Sequence, residues 1–196
     1  MMAEYIASKA LGGACPRAER GRKGDVVDMK KGKRLRAGDT IGIAAPSGPV
    51  KLEALEKGIS VLQSMGFIVR EASNLRSQWG YLAGHDAERA AGLMELFADD
   101  RVDGILCAKG GYGASRMAGF IDLDVIRANP KVFVGYSDVT TLHLLFNQGA
   151  ELITFHGPMA VSDMARDIGD FTESSFARCV MDGHSGPLDN PEGASL

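Results

Sequence analysis

Residues 132–147, VFVGYSDVTTLHLLFN, set a β-branched and aromatic run against a Gly-Tyr-Ser-Asp turn, and the residues from Asp138 to about Asn147 then read as a helix. A short apolar run that stops at a glycine has the look of a buried strand. The same order recurs upstream. Thr40 to Ala45 (TIGIAA) is a strand run followed by Pro46-Ser47-Gly48-Pro49. Leu52, Leu55, Ile59, Leu62 and Met65 then recur at intervals of three and four, one apolar helix face ending at Gly66. Phe67 to Val69 can form a second strand. Asp86 can cap a helix through Phe97 whose apolar positions are Ala90, Leu93, Met94 and Phe97. Gly104 to Ala108 (GILCA) is another strand, and Leu152 to Phe155 the last such run. Strands that alternate with helices in this way suit parallel neighbours, which need crossover connections. The expected fold is α/β, an open, mostly parallel sheet with helices on both faces, Rossmann-like or flavodoxin-like, over residues 37–183.

The flanks differ from this body. Residues 1–36 hold ten Lys or Arg against four acids, a net of +6, and since the whole chain carries −3 the remainder carries −9. Tyr5 is the sole aromatic in that arm and hydrophobic periodicity is weak, so a solvated, disordered arm is expected rather than a nucleic-acid or membrane tether. Residues 184–196 (HSGPLDNPEGASL) read as a linker or frayed end. Cys15, Cys107 and Cys179 are odd in number and far apart, which argues against a disulfide framework and a structural zinc site. No stretch approaches the roughly 18 apolar residues that span a bilayer, and the N-terminus lacks a secretory apolar block, so a cytoplasmic protein without a membrane partner is expected. Glycine is 25 of 196 residues, about 13% against a usual ~7%, and its clusters suggest close backbone approach.

In open parallel sheets ligands bind outside the carboxyl ends of the strands. Three unusual loops leave those ends: Pro46-Ser47-Gly48-Pro49, Lys109-Gly110-Gly111-Tyr112-Gly113, and Gly135-Tyr136-Ser137-Asp138. All three are expected to meet at one mouth. A serine on a tight strand-to-helix turn presents its hydroxyl above the sheet, beside helix N-terminal amides that favour negative charge. Ser137 is therefore a candidate nucleophile with half an oxyanion hole beside it. The G-x-S-x-G pattern is incomplete because Val139 stands at the last glycine, and the other reading is that Ser137 or Asp138 caps the helix. The Gly110-Gly111 amides can receive an anion, whether a phosphate or the oxygen of a tetrahedral intermediate, or can simply belong to a tight turn. Neither a G-x-G-x-x-G nor a P-loop pattern is present.

Taken in order, Gly38-Asp39-Thr40-Ile41 with Ala45-Pro46-Ser47-Gly48, Gly110-Gly111-Tyr112-Gly113 with Arg116, Gly135-Tyr136-Ser137-Asp138 with Thr140 and Leu142, and His156-Gly157-Pro158 resemble the LD-carboxypeptidase family of serine peptidases, from about residue 36 to 165. The resemblance implies a metal-free, cofactor-independent hydrolase. It would remove the terminal D-amino acid of a murein tetrapeptide during cytoplasmic peptidoglycan recycling; a sister branch gives self-immunity by cleaving peptide-nucleotide antibiotics. It also implies Ser137 as nucleophile, backbone amides of Asp138, Gly110 and Gly111 as the oxyanion hole, and Ser47, Gly48, Tyr112 and His156 as substrate-binding residues. A homodimer and a Ser-His-Glu triad come with it, the Glu and His lying in a C-terminal domain. This chain ends 59 residues after Ser137, so that domain is expected to be missing and the chain to be inactive alone. His143 is expected to point away from the elbow, and Lys109 stands where many relatives carry Arg. The competing classes are a non-catalytic, anion-binding α/β module and a structural fragment.

Overall fold

The computed structural model describes residues 28–183. Its frame is five parallel strands: β1 (Thr40–Ala44), β2 (Ile68–Glu71), β3 (Gly104–Cys107), β4 (Val132–Gly135) and β5 (Phe155–His156), in the order β2-β1-β3-β4-β5. That order is the flavodoxin-like one of the two expected, with its switch point between β1 and β3. Helices α1 (Leu52–Ser64), α2 (Asp86–Ala98), α3 (Leu123–Ala128), α4 (Thr140–Ala150) and α5 (Gly169–Ala177) make the connections and the final layer.

The central strands are buried on both faces, which is why they read as near-continuous apolar runs. Alternate residues enter separate cores. Ile105, Cys107 and Phe133 pack with Leu93, Phe97, Leu142 and Phe146 of α2 and α4. Ile41, Ile43, Leu106, Val132 and Val134 pack with Leu55 and Leu62 of α1 and with Phe176 of α5. The Phe97, Phe133 and Phe146 rings meet at 5.0–6.1 Å, two of the three contacts edge-on, an arrangement that aromatic quadrupoles favour.

Several expectations shift. Leu52 is exposed, and the buried stripe of α1 is Leu55, Gly58 and Leu62. The cap of α2 is His85 rather than Asp86: the Glu88 carboxylate accepts the His85 amide at 2.8 Å, the reach-back half of a capping box. The helix expected from Asp138 begins as a 3₁₀ turn (Ser137–Val139) and becomes α-helical at Thr140. In the 152–155 run, Leu152 makes only an isolated bridge with Lys30, and the strand is Phe155–His156. Residues 28–36, assigned to the solvated arm, lie on the body: Leu35 is buried, its amide donates to the Val180 carbonyl at 2.9 Å, and the Lys30 Nζ donates to the Arg127 carbonyl. The rest of the arm and the 184–196 linker lie outside the described residues.

Candidate active site

Strand β4 stops at Gly135 because the chain must turn tightly there. A Cβ on Gly135 would lie 2.8 Å from Val139 Cγ1 and 3.1 Å from Cys107 Cβ. Two residues on, Ser137 is exposed and has φ 64°, a left-handed conformation that costs a residue with a Cβ about 1–3 kcal/mol. A positive φ at a residue other than glycine is the mark of a strained elbow. Neither elbow side chain caps the helix. Among the described residues the Ser137 hydroxyl has no hydrogen-bond partner. The Asp138 carboxylate turns instead to the other two loops, where its Oδ2 accepts the Ser47 hydroxyl at 2.7 Å and the Ala114 amide at 2.9 Å.

The glycine loop comes directly against this elbow. A methyl group built on Gly110 would sit 3.0 Å from Ser137 Cβ, 3.2 Å from its Oγ and 3.6 Å from the Asp138 nitrogen. Gly111 has φ 139°, and a Cβ there would meet the Gly48 nitrogen at 3.2 Å. The Gly48 amide donates to the Gly110 carbonyl at 3.4 Å, so the loops after β1 and β3 touch. The amides of Gly110, Gly111 and Asp138 donate to no other described residue. A glycine loop with unbonded amides set against an exposed hydroxyl, whose neighbour Asp138 also has an unbonded amide, supplies the elements of an oxyanion hole.

Ser47, Gly110, Gly111, Ser137 and His156 are expected to line one depression; the loops that carry the first four touch at this edge, but the recess beside His156 includes none of the other four. Ser47 differs in detail, being fully buried with its hydroxyl committed to Asp138. Tyr112 is 76% exposed. His156 lies at the same edge, paired in register with Gly135, with its ring 5.7 Å from that of Tyr136. Those two rings line a recess of about 360 Å³ together with Ser162, Asp163 and Arg166. A larger recess between α1 and residues 164–167 contains none of these groups. His143 does not point away from the elbow as expected: its Nε2 lies 2.8 Å from the carbonyl oxygen of Gly135, the first residue of the turn, and its ring packs on Phe133. Burial holds its pKa below the ordinary imidazole value, the Gly135 carbonyl opposes that shift, and His156 adds to it.

Two supporting residues escaped the sequence reading. Arg89 is 1% exposed and donates to the carbonyls of Gly84, Pro46 and Gly113 and to the Asp86 carboxylate. It ties the loops after β1 and β3 to the start of α2. Its signal was available, since Arg89 falls one turn before Leu93 on an otherwise apolar stripe. Asn74, also buried, donates to the Ala45 and Ala83 carbonyls at 3.0 Å. Among the described residues no group of three His, Cys, Asp or Glu is placed to hold a metal ion.

The comparisons with known proteins agree with this geometry. A family model described as the LD-carboxypeptidase N-terminal domain matches residues 41–157. A probable murein peptide carboxypeptidase of Bacillus subtilis is 44% identical over 153 residues, which are 78% of this chain and 48% of that protein. The solved microcin C7 self-immunity protein MccF, in its wild-type apo state, superposes with a TM-score of 0.79 at 30% identity, over 83% of this chain and 51% of its own. A muramoyltetrapeptide carboxypeptidase from Oxalobacter formigenes gives 0.65 at 31% identity, over 71% and 47%. The chain thus spans about half the length of the curated relatives it matches. With the elbow, the glycine loop and the sheet order all in place, the family match is decisive: this chain belongs to the LD-carboxypeptidase family, and residues 41–157 are that family's N-terminal domain.

Proposed function

We propose that this domain carries the nucleophile of a serine carboxypeptidase that hydrolyses the L,D-peptide bond to the terminal D-amino acid of a murein tetrapeptide. The observation that carries the reading is the exposed, left-handed Ser137 held against Gly110, with the amides of Asp138 and of the glycine loop unbonded among the described residues. In the reaction Ser137 Oγ gives its proton to a general base and attacks the carbonyl carbon. The tetrahedral oxyanion is received by the amides of Gly110, Gly111 and Asp138. Its collapse breaks the C–N bond, the base returns the proton to the departing amine, and water then hydrolyses the acyl ester.

Neither a histidine nor a carboxylate among the described residues reaches the Ser137 hydroxyl, so in this reading the base and the Glu that orients it come from a C-terminal part of the enzyme. The described residues then depend on that part for turnover. Tyr112 and His156 contact the substrate at the rim, while Ser47 and Gly48 frame the mouth from behind. The enzyme works in the cytoplasm as a homodimer, with no nucleic-acid or membrane partner. Among the described residues no helix is long and apolar enough to cross a membrane.

A second reading, self-immunity through cleavage of a peptide-nucleotide antibiotic, is favoured by the TM-score of 0.79 against MccF compared with 0.65 against the muramoyltetrapeptide carboxypeptidase. The test joins this chain to the C-terminal half of the Bacillus subtilis relative and offers the isolated assembly both a murein tetrapeptide and an aminoacyl sulfamoyl nucleoside. The first reading expects D-alanine release at least about 100-fold faster per enzyme than nucleoside release, with both abolished in Ser137→Ala. Reversed preference selects the second reading, and preference unaffected by Ser137→Ala rejects both.

A further inference from the structure

Asp138 contributes more than its backbone. Its half-buried side chain lies on the elbow residue next to Ser137, and one oxygen collects a hydroxyl from the loop after β1 and an amide from the loop after β3. Its two partners, Ser47 and Ala114, are 91 and 24 residues away in sequence, and among the described residues it is the one side chain that bonds two of the mouth loops from the third. Its own amide is one of the free donors beside Ser137, so the residue clamped through its carboxylate is the one that carries that donor. Ser47 is fully buried and its hydroxyl serves this bond. Arg89 reinforces the arrangement from the opposite side through Pro46 and Gly113, the residues just before Ser47 and just before Ala114.

There is also an electrostatic reason for the geometry. A carboxylate free to face the mouth would repel the oxyanion that forms there. Bound to two donors, it is held toward the neighbouring loops instead.

We infer that the Asp138 side chain is a positioning residue for acyl transfer: clamped by Ser47 and Ala114, it holds the elbow and the glycine loop at the separation at which their amides share one oxyanion. The inference rests on the peptidase reading. It predicts that geometry, not charge, is what matters, because an asparagine oxygen can accept the same two bonds.

The test uses the assembly of this chain with the C-terminal half of the Bacillus subtilis relative, in the variants Asp138→Ala, Asp138→Asn, Ser47→Ala and the Ser47→Ala, Asp138→Ala pair. Displacing an oxyanion donor costs about 10² to 10³ in kcat. The expected result is that Asp138→Ala lowers kcat about 100-fold with KM changed less than about threefold, and that Asp138→Asn recovers to within about tenfold of the parent. Ser47→Ala should lie between them, and the pair should be no worse than Asp138→Ala alone. In parallel, amide exchange on the 196-residue chain should show the Ala114 N–H losing protection in Asp138→Ala and keeping it in Asp138→Asn.

Asp138→Asn as damaging as Asp138→Ala, with a shifted pH profile, would mean that the charge acts directly and would overturn the inference. So would a lowered melting temperature with kcat per folded molecule unchanged, or unaltered exchange at Ala114. If Asp138→Ala does not fold, the Asp138→Asn and Ser47→Ala kinetics and exchange decide. Turnover indifferent to Ser137→Ala would instead reject the peptidase reading, leaving the exchange result to judge the clamp alone.

Discussion

Ser137 holds a backbone conformation that its Cβ disfavours, so stability and function should separate at this residue. Ser137→Gly relieves the left-handed strain, whereas Ser137→Ala keeps it and removes only the hydroxyl. Thermal denaturation should find the glycine variant more stable than the alanine variant by about 1 kcal/mol, while neither supports turnover; an alanine variant equal to or above the glycine variant would mean that the elbow is relaxed. His143 offers a second check at this scale. It is held below the ordinary value of 6.5, chiefly by burial, so in the folded chain it stays neutral to lower pH than in the unfolded one. As the pH falls through about 6.5 the unfolded chain binds the extra proton first. Stability should therefore drop across that window and level off once the folded-state imidazole also protonates. Urea midpoints at pH 7.5 and 5.5 should differ more for the parent than for His143→Gln, and equal differences would remove His143 as the source.

Helix α1 meets residues 160–164 through Gly58, where an added Cβ would come 2.1 Å from the Ala160 carbonyl oxygen. Alanine is the better helix former by about 0.8–1 kcal/mol, yet the close approach to a backbone oxygen should reverse the sign. Gly58→Ala is expected to destabilise by about 1–3 kcal/mol in chemical denaturation, the usual range for overpacking; a stabilised variant would show that this contact is loose. The same contact illustrates what could be read in advance. Thr40–Ala45, Gly104–Ala108 and Val132–Val134 were legible because strands buried on both faces become apolar runs. The 3₁₀ turn Ser115–Phe120, the six-residue α3 and the turns after Ala160 were not, since periodicity needs more than two turns to register. In the site, the loops could be found because each follows a strand run. Their braces could not: the Ser47–Asp138 and Arg89–Pro46 bonds join residues 91 and 43 apart, and such pairs leave no local pattern. Residues 28–36 misled because their charge concealed Leu35, a single buried anchor.

For the molecule as a whole, the flavodoxin-like order puts the switch point between β1 and β3, and the loops leaving those two strands are the ones that close around the β4 elbow. The fold thus brings the glycine loop to the serine, and the chain covers about half of the curated relatives that share this domain. Chemistry at Ser137 is the claim on which the functional account stands. Its most direct test is a rapid acid quench of the assembly of this chain with the C-terminal half of the Bacillus subtilis relative during turnover of a murein tetrapeptide, followed by peptide mapping by mass spectrometry. The account predicts an ester on the peptide containing Ser137, heavier by the mass of the substrate less that of the released D-amino acid, and no such adduct in Ser137→Ala. D-alanine release by an assembly that forms no adduct at Ser137, or release that persists in Ser137→Ala, would contradict it.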